Sequence, residues 1–233
     1  ETGTRPLYLR ADLRDIDVVM ECTGRADTAE VAGRGLAAGA RRILVSGPSK
    51  AAGFTVVLGA NDAALGAQRI VSNASCTTNA LAPLARFLDT RFGIETGWMT
   101  TIHCYTGSQP TQDAAGGDFA RSRAAALSMV PTTTSAQRLL DLVLPDLAGR
   151  IEGAAVRVPA AEVNAALQDA GGVIGWTDRP LVSSDARARP ESIVMALPET
   201  RVTGGGLMRV FGWYDNEWGF SNRMLDVAAR MGA

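Results

Sequence analysis

Histidine is almost absent from this chain of 233 residues, which has one, and cysteine is scarce at three. Cys22, Cys76 and Cys104 form an odd set without a CxxC spacing, so neither a disulfide framework nor a four-ligand zinc site is indicated and no metal is expected. A reducing compartment suits such usage. Neither sign of charge is in excess: 23 basic and 24 acidic residues leave a net charge of −1. No run of like charge stands out either, which argues against nucleic acid or an anionic membrane as a partner. No membrane span is needed to account for the composition. The opening residues, Glu1-Thr2-Gly3-Thr4-Arg5-Pro6, lack the basic, apolar and small-residue succession of a secretory signal, so cytoplasm is the expected location. Internal repeats and low-complexity linkers are missing too.

What is present is the balance of a soluble globular protein, with 46% hydrophobic residues, 20% charged residues and a mean hydropathy of +0.05. The length allows one large domain or two small ones. Residues 16–21 and 41–46 are β-branched runs that flank an Ala-rich helical stretch over 27–38, and 54–58 and 70–71 suit further strands. Such β-α-β units imply a parallel, doubly wound sheet of the nucleotide-binding kind. Near Ser72 the pattern changes. A helix is expected from Cys76, a strand over 98–105, a long Gly/Ser/Pro-rich connection over 107–131, a helix over 132–144, a strand over 151–158 and a short helix over 162–170. Strands over 181–184, 192–196 and 207–213 then precede a closing helix over 217–231, with Met224, Leu225, Val227, Ala228 and Met231 on its apolar side.

Cys76 is the most informative residue. It stands among Ser75, Thr77 and Thr78 at the start of a helix, where free N–H groups and the helix dipole favour an anion and lower a thiol's pKa. A buried structural cysteine is the plainer alternative, although three hydroxyl neighbours are unusual in a core. His103 is the only side chain whose ordinary pKa lies near neutrality, and a Cys–His couple is a standard route to a reactive thiolate. Its place in an apolar strand also suits a satisfied core histidine. Arg157, within GAAVRVP, is a costly residue to place between apolar neighbours, and a structural ion pair is its plain reading. Asn216, taken alone, suits a helix N-cap.

The blocks SNASCTTN, TTIHCYT, AAVRVP and WYDNEWGFSNRMLD, in this order over nearly all of the chain, resemble the signatures of the glyceraldehyde-3-phosphate dehydrogenase family. The resemblance implies an α/β fold: an incomplete doubly wound NAD(P)-binding domain over 1–72, an α+β catalytic domain over 73–216, and a C-terminal helix over 217–233 that packs back on the first. It implies phosphorylating oxidation of an aldehyde, with Cys76 as nucleophile and His103 as base, through a thioester that inorganic phosphate releases as an acyl phosphate. Thr106 and Arg157 match the site for the substrate's phosphate. Ser75, Thr77, Thr134 and the backbone at Ser135 match the site for the attacking phosphate, where the family commonly has glycine at the Ser135 position. Thr23, Gly24, Ser46, Asn216 and Phe220 match positions that line NAD or NADP. Arg121 and Arg123 fall in the long loop that packs at a subunit interface, and a homotetramer is implied. Erythrose-4-phosphate dehydrogenases share these blocks. A shortened, non-catalytic homologue serving assembly or binding is a reading of another class, as is a cysteine hydrolase with no need of nicotinamide.

Two departures stand out against the family pattern. The opening strand, GxGxxG turn and ribose-binding acid are not in this sequence, and Gly33-Arg34-Gly35 lies inside a predicted helix. By the size of βαβ units, on the order of 70 residues of the pattern are missing from the front. After Arg157-Val158-Pro159-Ala160 a long apolar strand is also skipped, and Glu162 begins the next helix at once. A fragment, a decayed copy or a deliberately shortened chain is expected on these grounds.

Overall fold

The computed structural model describes residues 12–107, 109–115, 118–158, 173–202 and 207–232. Its first unit is a four-stranded, wholly parallel sheet built from β1 (Val18–Glu21), β2 (Arg42–Val45), β3 (Phe54–Thr55) and β4 (Ile70–Ser72), in the order β1-β2-β4-β3. The helix expected over 27–38 is two single turns, α1 (Ala29–Ala32) and α2 (Arg34–Ala37), meeting at Gly33. Thr28 caps the first turn by accepting the Val31 N–H at 3.3 Å. Gly35 lies so close to β2 that a Cβ there would sit 2.5 Å from Ile43 Cδ1, which explains a glycine inside a helical turn. The strand expected over 54–58 stops at Thr55, because the Asn61 amide takes over the next backbone groups, bonding Val57 N at 2.8 Å and Thr55 O at 2.9 Å.

Helix α3 (Cys76–Phe92) follows β4 directly and is the central element of the chain. Ala82 and Ala85 pack with Leu140, Val143, Leu144 and Ile151, while Ala80 and Leu84 pack with Ile193 and Met195. Two three-stranded sheets therefore share α3. One consists of β5 (Gly97–Cys104), β7 (Ile151–Val158) and β6 (Val130–Thr132), in the order β5-β7-β6, with β5 and β7 parallel. Helix α4 (Ala136–Val143) covers the same face as α3, and the helix expected over 132–144 thus yields its first residues to β6. The other sheet comprises β8 (Ile174–Thr177), β9 (Ile193–Ala196) and β12 (Gly212–Trp213), in the order β12-β9-β8. Between them β10 (Arg201–Val202) and β11 (Met208–Arg209) form a short antiparallel ribbon, so the strand expected over 207–213 is divided between two partners.

No strand forms over 181–184; Ser183–Asp185 is a 3-10 turn, held by Asp185 accepting the Val182 N–H at 3.0 Å. The helix expected over 162–170 lies outside the described residues. Helix α5 (Trp218–Gly232) closes the chain on the parallel sheet: Met224, Val227 and Met231, at helical spacing, join Leu44, Val56, Leu58 and Val71 in one core cluster. Arg42 fastens this docking, its guanidinium donating to the carbonyls of Gln68 at 3.0 Å, Met231 at 2.9 Å and Gly66 at 2.5 Å. The opposite sheet face is covered by Val31, Ala32 and Leu36 of α1 and α2. No helix among the described residues is long and apolar enough to cross a membrane.

Candidate active site

The turn from β4 into α3 determines where Cys76 sits. Ser72 Oγ donates to the Gly47 carbonyl at 2.8 Å and accepts the Ala74 N–H at 3.1 Å. Ala74 is fully buried with φ 55, a left-handed conformation that costs a residue with a Cβ roughly 1–2 kcal/mol. Asn79, one turn into the helix, offsets this by donating through Nδ2 to the carbonyls of Asn73 at 2.7 Å and Ser75 at 3.1 Å. Ser75 is the N-cap and accepts the Thr78 N–H at 3.1 Å, so Cys76 is the first helical residue, as its hydroxyl neighbours imply.

On β5 the side chains of Thr101 and His103 are buried toward α3 while Trp98, Thr100 and Ile102 face outward. The alternation delivers His103 Nε2 to 3.5 Å from Cys76 Sγ. Arg157 is the register partner of His103 on the parallel neighbour β7. Its Nη1 lies 2.8 Å from His103 Nδ1 and donates to the Cys104 carbonyl at 3.0 Å, while His103 Nδ1 is 2.7 Å from that same oxygen. Two tautomers follow. When Nδ1–H donates to the Cys104 carbonyl, the lone pair of Nε2 faces the thiol and can take its proton. When Nδ1 accepts from Arg157, Nε2–H faces sulfur and favours the thiolate.

Burial pushes the Cys76 thiol up, outweighing the hydrogen bonds from Thr77 and the positive charge of Arg157. This corrects the expectation that the helix start lowers it. Burial also holds His103 below its ordinary value, against the hydrogen bond to the Cys104 carbonyl and in the same direction as the charge of Arg157. Both shifts favour the neutral forms of the pair, the thiol and the uncharged imidazole.

Sequence reasoning passed over Tyr214. Its hydroxyl bridges Thr77 Oγ1 at 3.0 Å and Thr101 Oγ1 at 2.8 Å, and its ring meets that of His103 edge-on at 5.9 Å between centroids. Burial holds the phenol far above its ordinary value, so it stays a neutral hydroxyl joining α3 to β5. The N-cap alternative for Asn216 falls to its neighbour: Asp215 accepts the N–H groups of Glu217 at 2.9 Å and Trp218 at 2.7 Å. Asn216 Oδ1 instead accepts from the Cys104 thiol at 3.5 Å.

The remaining candidates lie on separate elements. Thr134 Oγ1 accepts the Ala136 N–H at 3.1 Å and Ser135 is the N-cap residue of α4; no hydrogen bond among the described residues ties either to the Cys–His pair. Thr106 follows β5 in the loop and accepts the Gln109 N–H at 2.9 Å through its carbonyl. Thr23, Gly24 and Ser46 lie just beyond the C-terminal ends of β1 and β2. Thr23 N donates to Glu21 Oε1 at 3.1 Å, and Gly24, at φ +71, has open space where a Cβ would be. Phe220 is partly buried against the core under α5. Arg123 pairs with Asp113 at 3.2 Å within the long loop, where Arg121 N donates to Asp118 Oδ1 at 3.2 Å.

A helix-borne thiol thus faces a strand-borne imidazole beside a parallel sheet with open strand ends, in a chain of mixed α/β architecture. Residues 75–170 and 160–216 match the glyceraldehyde 3-phosphate dehydrogenase, C-terminal domain family. The glyceraldehyde-3-phosphate dehydrogenase of Xanthobacter flavus is 47% identical over 241 residues, covering 93% of this chain and 72% of that protein. That of Cereibacter sphaeroides is 48% identical over the same shares, and that of Zymomonas mobilis 45% identical over 242 residues. The chain belongs to the glyceraldehyde-3-phosphate dehydrogenase family. An aligned stretch of 241 positions is longer than the chain itself, so the relative carries residues that this one lacks. The two matched stretches overlap at 160–170.

Proposed function

We propose that this chain catalyses the phosphorylating oxidation of glyceraldehyde 3-phosphate to 1,3-bisphosphoglycerate with NAD or NADP, through a thioester on Cys76. The observation that carries the reading is the 3.5 Å approach of Cys76 Sγ to His103 Nε2, with Arg157 and the Cys104 carbonyl behind the imidazole. Cys76 Sγ bonds to the aldehyde carbon as His103 takes the thiol proton and passes it to the new alkoxide. In the oxidation His103 removes that hydroxyl proton again while the C–H bond breaks and its hydride leaves for the acceptor, so the carbon is left as a thioester. A bound nicotinamide supplies the two-electron acceptor. Phosphate oxygen then bonds to the acyl carbon and the C–S bond breaks, with sulfur leaving as the thiolate and recovering its proton from His103.

Thr106 and Arg157 are assigned to the substrate's phosphate, and Ser75, Thr77, Thr134 and the Ser135 backbone to the attacking one, where hydroxyl, guanidinium and helix-start N–H groups suit an anion. Asn216 and Phe220 at the start of α5, with Thr23, Gly24 and Ser46, would hold the cofactor. The open space at Gly24 and Gly47, past the C-terminal ends of β1 and β2, fits a ligand pressed against strand ends. In this reading residues 1–72 are the remaining part of a doubly wound NAD(P)-binding domain, 73–216 the catalytic domain, and 217–233 a helix returning to the first. The working form is a homo-oligomer.

The deciding experiment follows nicotinamide reduction by the purified chain with glyceraldehyde 3-phosphate and inorganic phosphate, beside a Cys76→Ser variant, with erythrose 4-phosphate as a competing substrate. Phosphate-dependent reduction lost in the variant is expected. A folded chain with no reduction on either aldehyde, and a Cys76 alkylation rate no different from that of Cys22, would sink the reading.

A further inference from the structure

The Cys104 thiol has no part in the chemistry above, yet the residue touches three of the groups that do. Its carbonyl receives Arg157 Nη1 at 3.0 Å and faces His103 Nδ1 at 2.7 Å, and its thiol lies 3.5 Å from Asn216 Oδ1. The backbone around Asn216 is fixed independently, because Asp215 caps α5 through Glu217 and Trp218 and also accepts the Ala188 N–H at 2.9 Å. What stays open is the orientation of the Asn216 amide, and a primary amide that turns over exchanges an acceptor for a donor.

We propose that Cys104 is a positioning residue: its S–H donates to Asn216 Oδ1, fixes which way that amide turns, and thereby couples the strand bearing His103 to the amide assigned to the nicotinamide. With Oδ1 held by the thiol, Nδ2 is directed away from sulfur and is left to donate to a ligand carbonyl. The arrangement needs a protonated thiol. Burial supplies it by raising the Cys104 thiol, with Arg157 opposing and Glu217 and Asp215 reinforcing the shift. The consequence for cofactor binding rests on the proposed role of Asn216; the contact itself does not.

Two readouts separate these levels. In the ligand-free chain the S–H stretching band of Cys104, assigned by its loss in Cys104→Ala, is measured by infrared difference spectroscopy with and without Asn216→Ala. A shift to higher frequency in Asn216→Ala is expected, and a band that stays in place overturns the proposal. NADH affinity is then titrated by tryptophan fluorescence. Cys104→Ala is expected to weaken binding about threefold to tenfold where Asn216 is present, the range a single hydrogen bond spans, and to have no further effect in the Asn216→Ala background. Equal weakening in both backgrounds overturns the positioning role. A shifted band together with NADH binding indifferent to Asn216→Ala leaves the thiol–amide contact standing and defeats the cofactor assignment of Asn216 instead.

Discussion

Burial acts on the two members of the Cys76–His103 pair in opposite directions, and each leaves a signature in stability against pH. His103 is held below its ordinary value of 6.5, so the unfolded chain takes up a proton that the folded chain resists. Its contribution is therefore present above about pH 6.5 and is lost as pH falls through the lower folded value. Cys76 is held above its ordinary 9.0, so its contribution is present below that value and is lost as pH rises through the higher folded one. Urea unfolding measured across this range should show both limbs. His103→Asn is expected to flatten the acid limb, and Cys76→Ser to flatten the alkaline limb in part, since burial raises Cys104 in the same direction. An acid limb that keeps its slope in His103→Asn would show that another group governs it. Tyr214→Phe tests the neighbouring hydroxyl. It leaves Thr77 and Thr101 without their shared partner and should cost about 1–3 kcal/mol in the same unfolding assay.

The turn between β4 and α3 combines a strained residue with the side chain that secures it. Ala74→Gly removes the Cβ that φ 55 disfavours but frees the unfolded chain, so a net gain below about 1 kcal/mol is expected. Ala74→Val adds β-branching to a fully buried left-handed position and should cost more than about 2 kcal/mol. Asn79→Ala removes both bonds of the latch, and its thermal midpoint should fall together with the alkylation rate of Cys76. The start of α3, strands β5 and β7 and the stripe of α5 are legible in the sequence, because each carries a local signal: hydroxyl residues at a cap, an apolar strand run, or apolar residues at helical spacing. Leu225, expected in that stripe, is instead 60% exposed, since it lies one position round the helix from Met224 and off the docked face. Strand β8 is not. Gly175 interrupts Ile174–Thr177, and only its pairing with Ile193–Ala196 makes it a strand. The reverse holds at 181–184, where an apolar pair imitates a strand but the Asp185 carboxylate draws the backbone into a turn. Within the site, Cys76 and His103 can be picked out by residue type. The bridging of Tyr214, the Cys104–Asn216 contact and the upward direction of the thiol all depend on packing between elements over a hundred positions apart or on tertiary burial, and these leave no local trace.

At the scale of the molecule, the sheet β5-β7-β6 is covered on one face by α3 and α4, and its other face carries an apolar row without cover among the described residues. Ile102, 59% exposed, stands opposite Val156 on β7, which in turn faces Pro131 on β6, and Trp98 extends the same side of β5 at 67% exposed. The long loop leading into β6 also leaves Phe119 and Leu127 exposed, at 82% and 85%. Apolar patches larger than a few hundred Å² on a soluble chain mark interaction surfaces, and identical faces meeting about a two-fold axis form a closed contact. A second copy of this chain is the occupant expected, because an isologous contact would pair this apolar row with itself, and a stable one needs roughly 1,200–2,000 Å² in total. Ile102→Glu places a charge in the centre of the row without touching α3. Light scattering coupled to size exclusion should then give a multiple of 24.4 kDa for the unsubstituted chain and a shift toward 24.4 kDa itself for the variant. If both run as the single chain, the exposed face serves something other than self-association; if both stay assembled, the copies meet elsewhere.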